Sequence, residues 1–175
     1  EVYWFRLLFC SRKFLERKFL ERKVKEQFDT LKKYKYEHIF IDNGSNDKTV
    51  EILKTIAQKD KNVKVIVNSR NFGQIKSPYH ALMQTKGEAA ILIVSDMQDP
   101  PEMIIDFVKK WEDGFKIVIG VKNKSNENYL MFMLRKLYYY TIRKFGEYEH
   151  IDNFTGFGLY DKEILDLLRS MKEPF

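Results

Sequence analysis

The 175-residue chain is 44% hydrophobic and 15% aromatic, enough for one domain with a packed core and too little for two. Its formal charge of +6 lies wholly in residues 1–36, with 11 Lys/Arg against 5 Asp/Glu, while residues 37–175 balance at 20 of each; this argues against a nucleic-acid reader, which carries its positive charge on the folded surface. The single cysteine, Cys10, excludes an internal disulfide and fits a reducing compartment, and no apolar stretch approaches the roughly 20 residues that span a bilayer, so the chain reads as soluble or peripheral.

Residues 2–10 are apolar but short, interrupted by Arg6, and lack a signal-peptide cleavage pattern. Residues 12–23 then repeat Arg-Lys-Phe-Leu-Glu with a five-residue period, which matches neither a helix nor a strand. The expectation is that residues 1–23 form an atypical basic segment, loosely packed or irregularly helical, and not a central strand. Val24, Phe28 and Leu31 return to helical spacing. A regular alternation follows. Strands are expected at 38–41, 63–67, 89–94 and 115–121, and helices at 47–59, 74–86, 101–111, 129–145 and 161–171. Alternating strands and helices of these lengths imply an α/β domain over 24–175, a mostly parallel sheet with helices on both faces. No Gly-x-Gly-x-x-Gly or P-loop pattern follows any strand. Ligands in such sheets gather beyond the carboxyl ends of the strands, just after Ile41 and Val94.

After the first of these strands stands Asp42-Asn43-Gly44-Ser45-Asn46-Asp47-Lys48-Thr49. Gly44 suits a tight turn, and Asn46 or Asp47 suits a helix cap. Asp42 is left without such a duty and could accept hydrogen bonds from a base or ribose. After the most apolar strand stands Ser95-Asp96-Met97-Gln98-Asp99-Pro100-Pro101-Glu102. Asp99 reads as the cap of a proline-started helix. Asp96 and Gln98, two apart in extended chain, point the same way and offer oxygen donors to a hard divalent cation beside a diphosphate.

Together with Asn71-Phe72-Gly73-Gln74, these motifs stand in an order and spacing that resembles the GT-A glycosyltransferases, closest to dolichol-phosphate mannose synthases and bacterial polyprenyl-phosphate glucosyltransferases. The resemblance runs from about residue 24 to 175. It implies transfer of a sugar, with inversion, from a UDP- or GDP-sugar to a polyprenyl phosphate, at the cytoplasmic face of the membrane. It implies nucleotide contacts at Asp42, Gly44, Ser45, Asn71 and Gly73. Mg²⁺ or Mn²⁺ would be held by Asp96 and Gln98, with Asp96 and Asp152 as catalytic residues. Asp152 belongs to 152–160, which looks like the family's acceptor-side segment.

Three departures stand out: Val94 where the family has a further Asp, Gly158 where it has an Arg, and no Tyr-Asn-Glu-Glu-like loop near the front. The chain therefore reads as a GT-A domain lacking the usual first strand and clipped at the end. If residues 5–9 take that strand's place, Cys10-Ser11-Arg12 occupy its loop. Lys122, Lys124, Arg135 and Arg143 are candidates for the acceptor phosphate, with ordinary surface charge as the alternative for each. The aromatic, basic stretch 129–145 fits a helix at a membrane surface or a core helix with a basic outer face. Two other functional readings stand beside the enzyme: a non-catalytic domain that keeps the fold, and a basic arm at 12–23 that binds nucleic acid or anionic lipid.

Overall fold

The computed structural model describes residues 3–10, 14–94, 99–121 and 154–171, with helical positions at 133, 134, 136, 138, 140, 141 and 144; side chains are described from residue 22 onward. The strands are β1 (Tyr3–Cys10), β2 (Tyr34–Asp42), β3 (Val63–Val67), β4 (Ala89–Val94), β5 (Ile117–Val121) and β6 (Phe154–Asp161). The helices are α1 (Phe14–Thr30), α2 (Thr49–Lys59), α3 (Gly73–Met83), α4 (Met103–Glu112) and α5 (Lys162–Ser170). The strands form one sheet in the order β3-β2-β1-β4-β6-β5. β1 to β4 pair parallel, and β6 runs antiparallel to β4. The chain divides into two units, Glu1–Val118 with Phe157–Phe175, and Ile119–Gly156.

The front of the chain overturns the expectation drawn from its repeat. β1 is an interior strand, paired with β2 from Tyr3↔Tyr34 to Cys10↔Ile41 and with β4 from Phe5↔Ala89 to Cys10↔Val94. The first strand is therefore present, and the boundary expected at residue 23 falls inside α1. An interior parallel strand commonly reads as a nearly continuous apolar run without alternation, and residues 2–10 are such a run, broken only by Arg6. The five-residue repeat belongs to the helix that follows, so its irregularity carried no information about the strand.

Side-chain alternation sorts the core into two layers. Phe40 of β2 and Ala89, Ile91 and Ile93 of β4 lie in one cluster with Val24 and Phe28 of α1, Leu53 of α2, and Ile104, Phe107 and Val108 of α4. Ile39, Ile41 and Ala90 lie in the other, with Ala81 and Leu82 of α3 and Leu165 of α5. α4 reaches its layer through apolar residues three or four apart, Ile104, Phe107 and Val108. Ile91 and Ile93 have no exposed surface, and burying such a side chain contributes about 1.5–3 kcal/mol.

At the end of β6, Asp161 ties the layers together. Its carboxylate accepts from the Trp111 indole (2.6 Å), the Glu163 backbone N–H (2.9 Å) and Lys116 Nζ (3.4 Å), which makes it the side-chain cap of α5. Burial alone would raise its pKa, but these donors and the Lys116 charge outweigh burial and hold it below the ordinary carboxylate value. β6 is an element that sequence reading missed, because Phe154-Thr155-Gly156-Phe157-Gly158 has two glycines and little alternation. Gly158, the position where an Arg was expected, is buried within β6 and paired with Leu92.

Candidate functional site

Two loops meet at the carboxyl ends of β2 and β3. Asp42, the last residue of β2, is fully buried. Its carboxylate accepts from the Ser45 backbone N–H (3.0 Å) and the Ser45 hydroxyl (2.5 Å), and its carbonyl accepts from Asn68 N–H (2.9 Å). Turn chemistry thus does account for Asp42, contrary to expectation: a short acidic side chain at a strand end closes the turn on itself. The cap position of α2 falls to Lys48, without a side-chain cap bond, and not to Asn46 or Asp47 as expected; Asp47 still accepts from Thr49 N–H at 3.0 Å and so satisfies an orphan donor in the first turn.

Asn43 reaches across to the second loop. Its side-chain oxygen accepts from Phe72 N–H (2.8 Å) and Asn68 Nδ2 (3.2 Å), while its nitrogen donates to Asn71 Oδ1 (2.9 Å) and the Gly73 carbonyl (3.0 Å). Asn71 Oδ1 also accepts from Gly73 N–H (2.8 Å), and Asn68 donates to the buried Ser77 hydroxyl (3.0 Å). Gly44 takes φ +79°, and a Cβ there would lie 2.9 Å from Asn71 N. Only glycine fits, because the turn is left-handed and the backbones touch. Asn71, Phe72 and Gly73 are solvent-exposed above this network.

The end of β4 differs from expectation. α4 starts at Met103 with Glu102 at its cap position and no side-chain cap bond. Asp99 instead is buried, and its carboxylate accepts from Val94 N–H at 3.2 Å. The two prolines explain this: turn bonds from Met103 and Ile104 to the Pro100 and Pro101 carbonyls occupy the approach to the helix and push its start beyond the reach of Asp99. Asp96, Gln98, Asp152, Lys122, Lys124, Arg135 and Arg143 lie outside the described residues. Among the described residues no group of His, Cys, Asp or Glu could hold a metal ion, and the nearby carboxylates of Asp42 and Asp99 already serve backbone donors.

The structure brings Asp42, Gly44, Ser45, Asn71 and Gly73 into one cluster. Sequence reading missed Asn43, Asn68 and Ser77, which join them. The available signal was the placement of asparagines directly after two adjacent parallel strands, where a short amide can bridge loops.

A family model described as glycosyl transferase family 2 matches residues 14–168. The uncharacterized glycosyltransferase YkcC of Bacillus subtilis is 31% identical over 155 residues, covering 87% of this chain and 48% of that protein. A bactoprenol glucosyl transferase of Shigella phage SfX is 30% identical over 148 residues, covering 84% and 48%. The chain thus spans about half the length of the curated relatives it matches. Among solved structures, a mannosyltransferase from Pyrobaculum calidifontis in complex with GDP-Man and Mn²⁺ aligns with TM-score 0.61 at 14% identity, over 95% of this chain and 46% of that one. Glucosyl-3-phosphoglycerate synthase from Mycobacterium tuberculosis, in complex with Mn²⁺, UDP and phosphoglyceric acid, aligns with TM-score 0.62 at 18% identity, over 97% and 58%. At these identities the two structures bear on the fold alone.

Proposed function

The chain belongs to glycosyl transferase family 2 and has the GT-A fold, and on that premise we propose that it binds a nucleotide-sugar for transfer, with inversion and metal assistance, to a polyprenyl phosphate. The observation that carries this reading is the cross-linked pair of loops at the carboxyl ends of β2 and β3. They build an edge from half-buried Ser45 and exposed Asn71 and Gly73 where a parallel sheet takes its ligand. The bactoprenol glucosyl transferase relative supports the lipid acceptor, and the neighbours bound to GDP-Man or UDP with Mn²⁺ support the donor class and the metal.

In this reading Asp42 and Ser45 shape the nucleoside side of the site, and Asn71 and Gly73 complete it. Asp96 and Gln98 would hold Mg²⁺ or Mn²⁺, which supplies electrostatic stabilisation of charge on the leaving diphosphate. The acceptor oxygen attacks the anomeric carbon as the bond to the diphosphate breaks. A lipid phosphate oxygen is already anionic at neutral pH, so positioning matters more than a strong base. Asp152 would orient the acceptor or sugar, and Lys122, Lys124, Arg135 and Arg143 would attract the acceptor phosphate.

Among the described residues no helix is long and apolar enough to cross a membrane. Met133, Leu134, Tyr138 and Tyr140 are each about half exposed or more, which supports a helix lying on the inner membrane face over a core helix. Titration with UDP- and GDP-sugars, with and without Mn²⁺, together with donor hydrolysis, tests the proposal. At least one donor should bind in a Mn²⁺-dependent way and be slowly hydrolysed; binding of none would sink it.

A further inference from the structure

Asn43 belongs to the first loop and binds the second through all of its side-chain polar atoms. A carboxamide has two N–H donors and two acceptor lone pairs. Asn43 uses all four, on Phe72, Asn68, Asn71 and Gly73. It sits half-buried beneath exposed Asn71, Phe72 and Gly73, next in sequence to Asp42, whose carboxylate fixes Ser45. The contact of Gly44 with the Asn71 backbone allows the loops to close to touching distance, but a contact between backbones has no directionality. The amide supplies it.

We propose that Asn43 is a positioning residue for nucleotide binding: its side-chain oxygen gathers the Phe72 N–H and the Asn68 amide, so that Asn71 and Gly73 are held at a fixed distance from Asp42 and Ser45. The proposal rests on the nucleotide reading above. The oxygen is the operative atom because it accepts the one backbone donor, Phe72 N–H, that no rearrangement of neighbouring side chains replaces. Of the two bonds given by the nitrogen, the one to Asn71 is the more forgiving, since the exposed Asn71 amide can turn over and donate in its place at the cost of its bond from Gly73 N–H; the one to the Gly73 carbonyl has no such substitute.

The test is a pair of variants, Asn43→Ala and Asn43→Asp, titrated with UDP and with GDP in the presence of Mn²⁺ well below the melting temperature. The amide exchange of Phe72 is measured on the same samples. Asn43→Ala should bind about tenfold or more weakly and exchange the Phe72 amide about tenfold faster. Asn43→Asp keeps the acceptor for Phe72 N–H but loses the donor to the Gly73 carbonyl, so it should bind about threefold or more tighter than Asn43→Ala while remaining weaker than the parent. A residue that merely held the fold together would lower the melting temperature of both variants and leave the dissociation constant of the folded protein unmoved. Parent-like affinity in Asn43→Ala overturns the proposal, and so does failure of Asn43→Asp to bind more tightly than Asn43→Ala. Should Asn43→Ala not fold, Asn43→Ser, whose hydroxyl is too short to reach Phe72, takes its place with the same outcomes. A parent that binds neither nucleotide overturns the nucleotide reading itself and this use of Asn43 with it. The exchange of Phe72 tells that case apart, because it reports the link between the loops without any ligand.

Discussion

Asp96 and Asp99 are three residues apart and are expected to fail in opposite ways. Asp99 is buried and holds the last N–H of β4, so Asp99→Ala strands a backbone donor, at a cost of about 1–3 kcal/mol in stability. Asp96→Asn removes charge without changing shape. It should nearly eliminate Mn²⁺-dependent nucleotide binding and leave the melting temperature where it was, and a variant that binds like the parent would place the metal elsewhere. A second residue-scale effect lies in β2. His38 is buried among Tyr36 and Phe40, and burial lowers its pKa from 6.5 to about 4. The fold therefore holds it neutral, while the unfolded chain takes up a proton below pH 6.5. Its contribution is complete above pH 6.5 and is lost as pH falls to about 4, an acid-side loss of about 3 kcal/mol. Denaturant melts between pH 7 and 4 should show a slope that His38→Leu flattens. Asp161 acts in a lower window: its depressed pKa adds stability above the unfolded value of 3.8 that is lost only as pH falls further.

At the scale of elements, β1 invites the sharpest check. Its backbone is paired on both sides, so the amides of Leu7, Leu8 and Phe9 should exchange as slowly as those of Ile91 to Ile93, through global unfolding. Exchange as fast as a chain end would show that the strand does not hold its place in solution. The helical stretch between 133 and 144 gives a different kind of test. If its exposed Met, Leu and Tyr side chains lie on lipid, the protein should sediment with anionic vesicles. The triple change Arg135, Lys136, Arg143→Glu should then abolish sedimentation, since each basic residue near such a surface contributes about 1 kcal/mol. Sedimentation that survives the triple change would remove electrostatics from the attachment.

For the whole molecule, the alternation of apolar strands and amphipathic helices was legible because each face buries its own set, as Phe40 against Ile39 and Ile41 demonstrates. Residues 63–67 and 89–94 were located to the residue because short apolar runs between turn signals have sharp ends. β1 was misjudged because its apolar run shows no period and precedes an irregular repeat, and β6 was missed because its glycines conceal one. Ser45, Gly44, Asn71 and Gly73 could be read as a cluster from motif order, but the bonds that Asn43 makes are tertiary and leave no periodic trace. The place of β6 in the sheet has one further consequence. β5 and β6 are neighbours, so the residues that flank positions 122 to 153 lie on adjacent strands. A stretch anchored in this way is expected to be exchangeable without altering any strand register, because each doubling of the length to be closed costs only about 0.6 kcal/mol. On the proposed function, this would let what receives the sugar vary while what delivers it is conserved. Replacing residues 122–153 with the matching stretch of a family member of different acceptor preference should leave the melting temperature and nucleotide affinity close to those of the parent; a collapse of either would show that donor and acceptor halves are not separable inheritances.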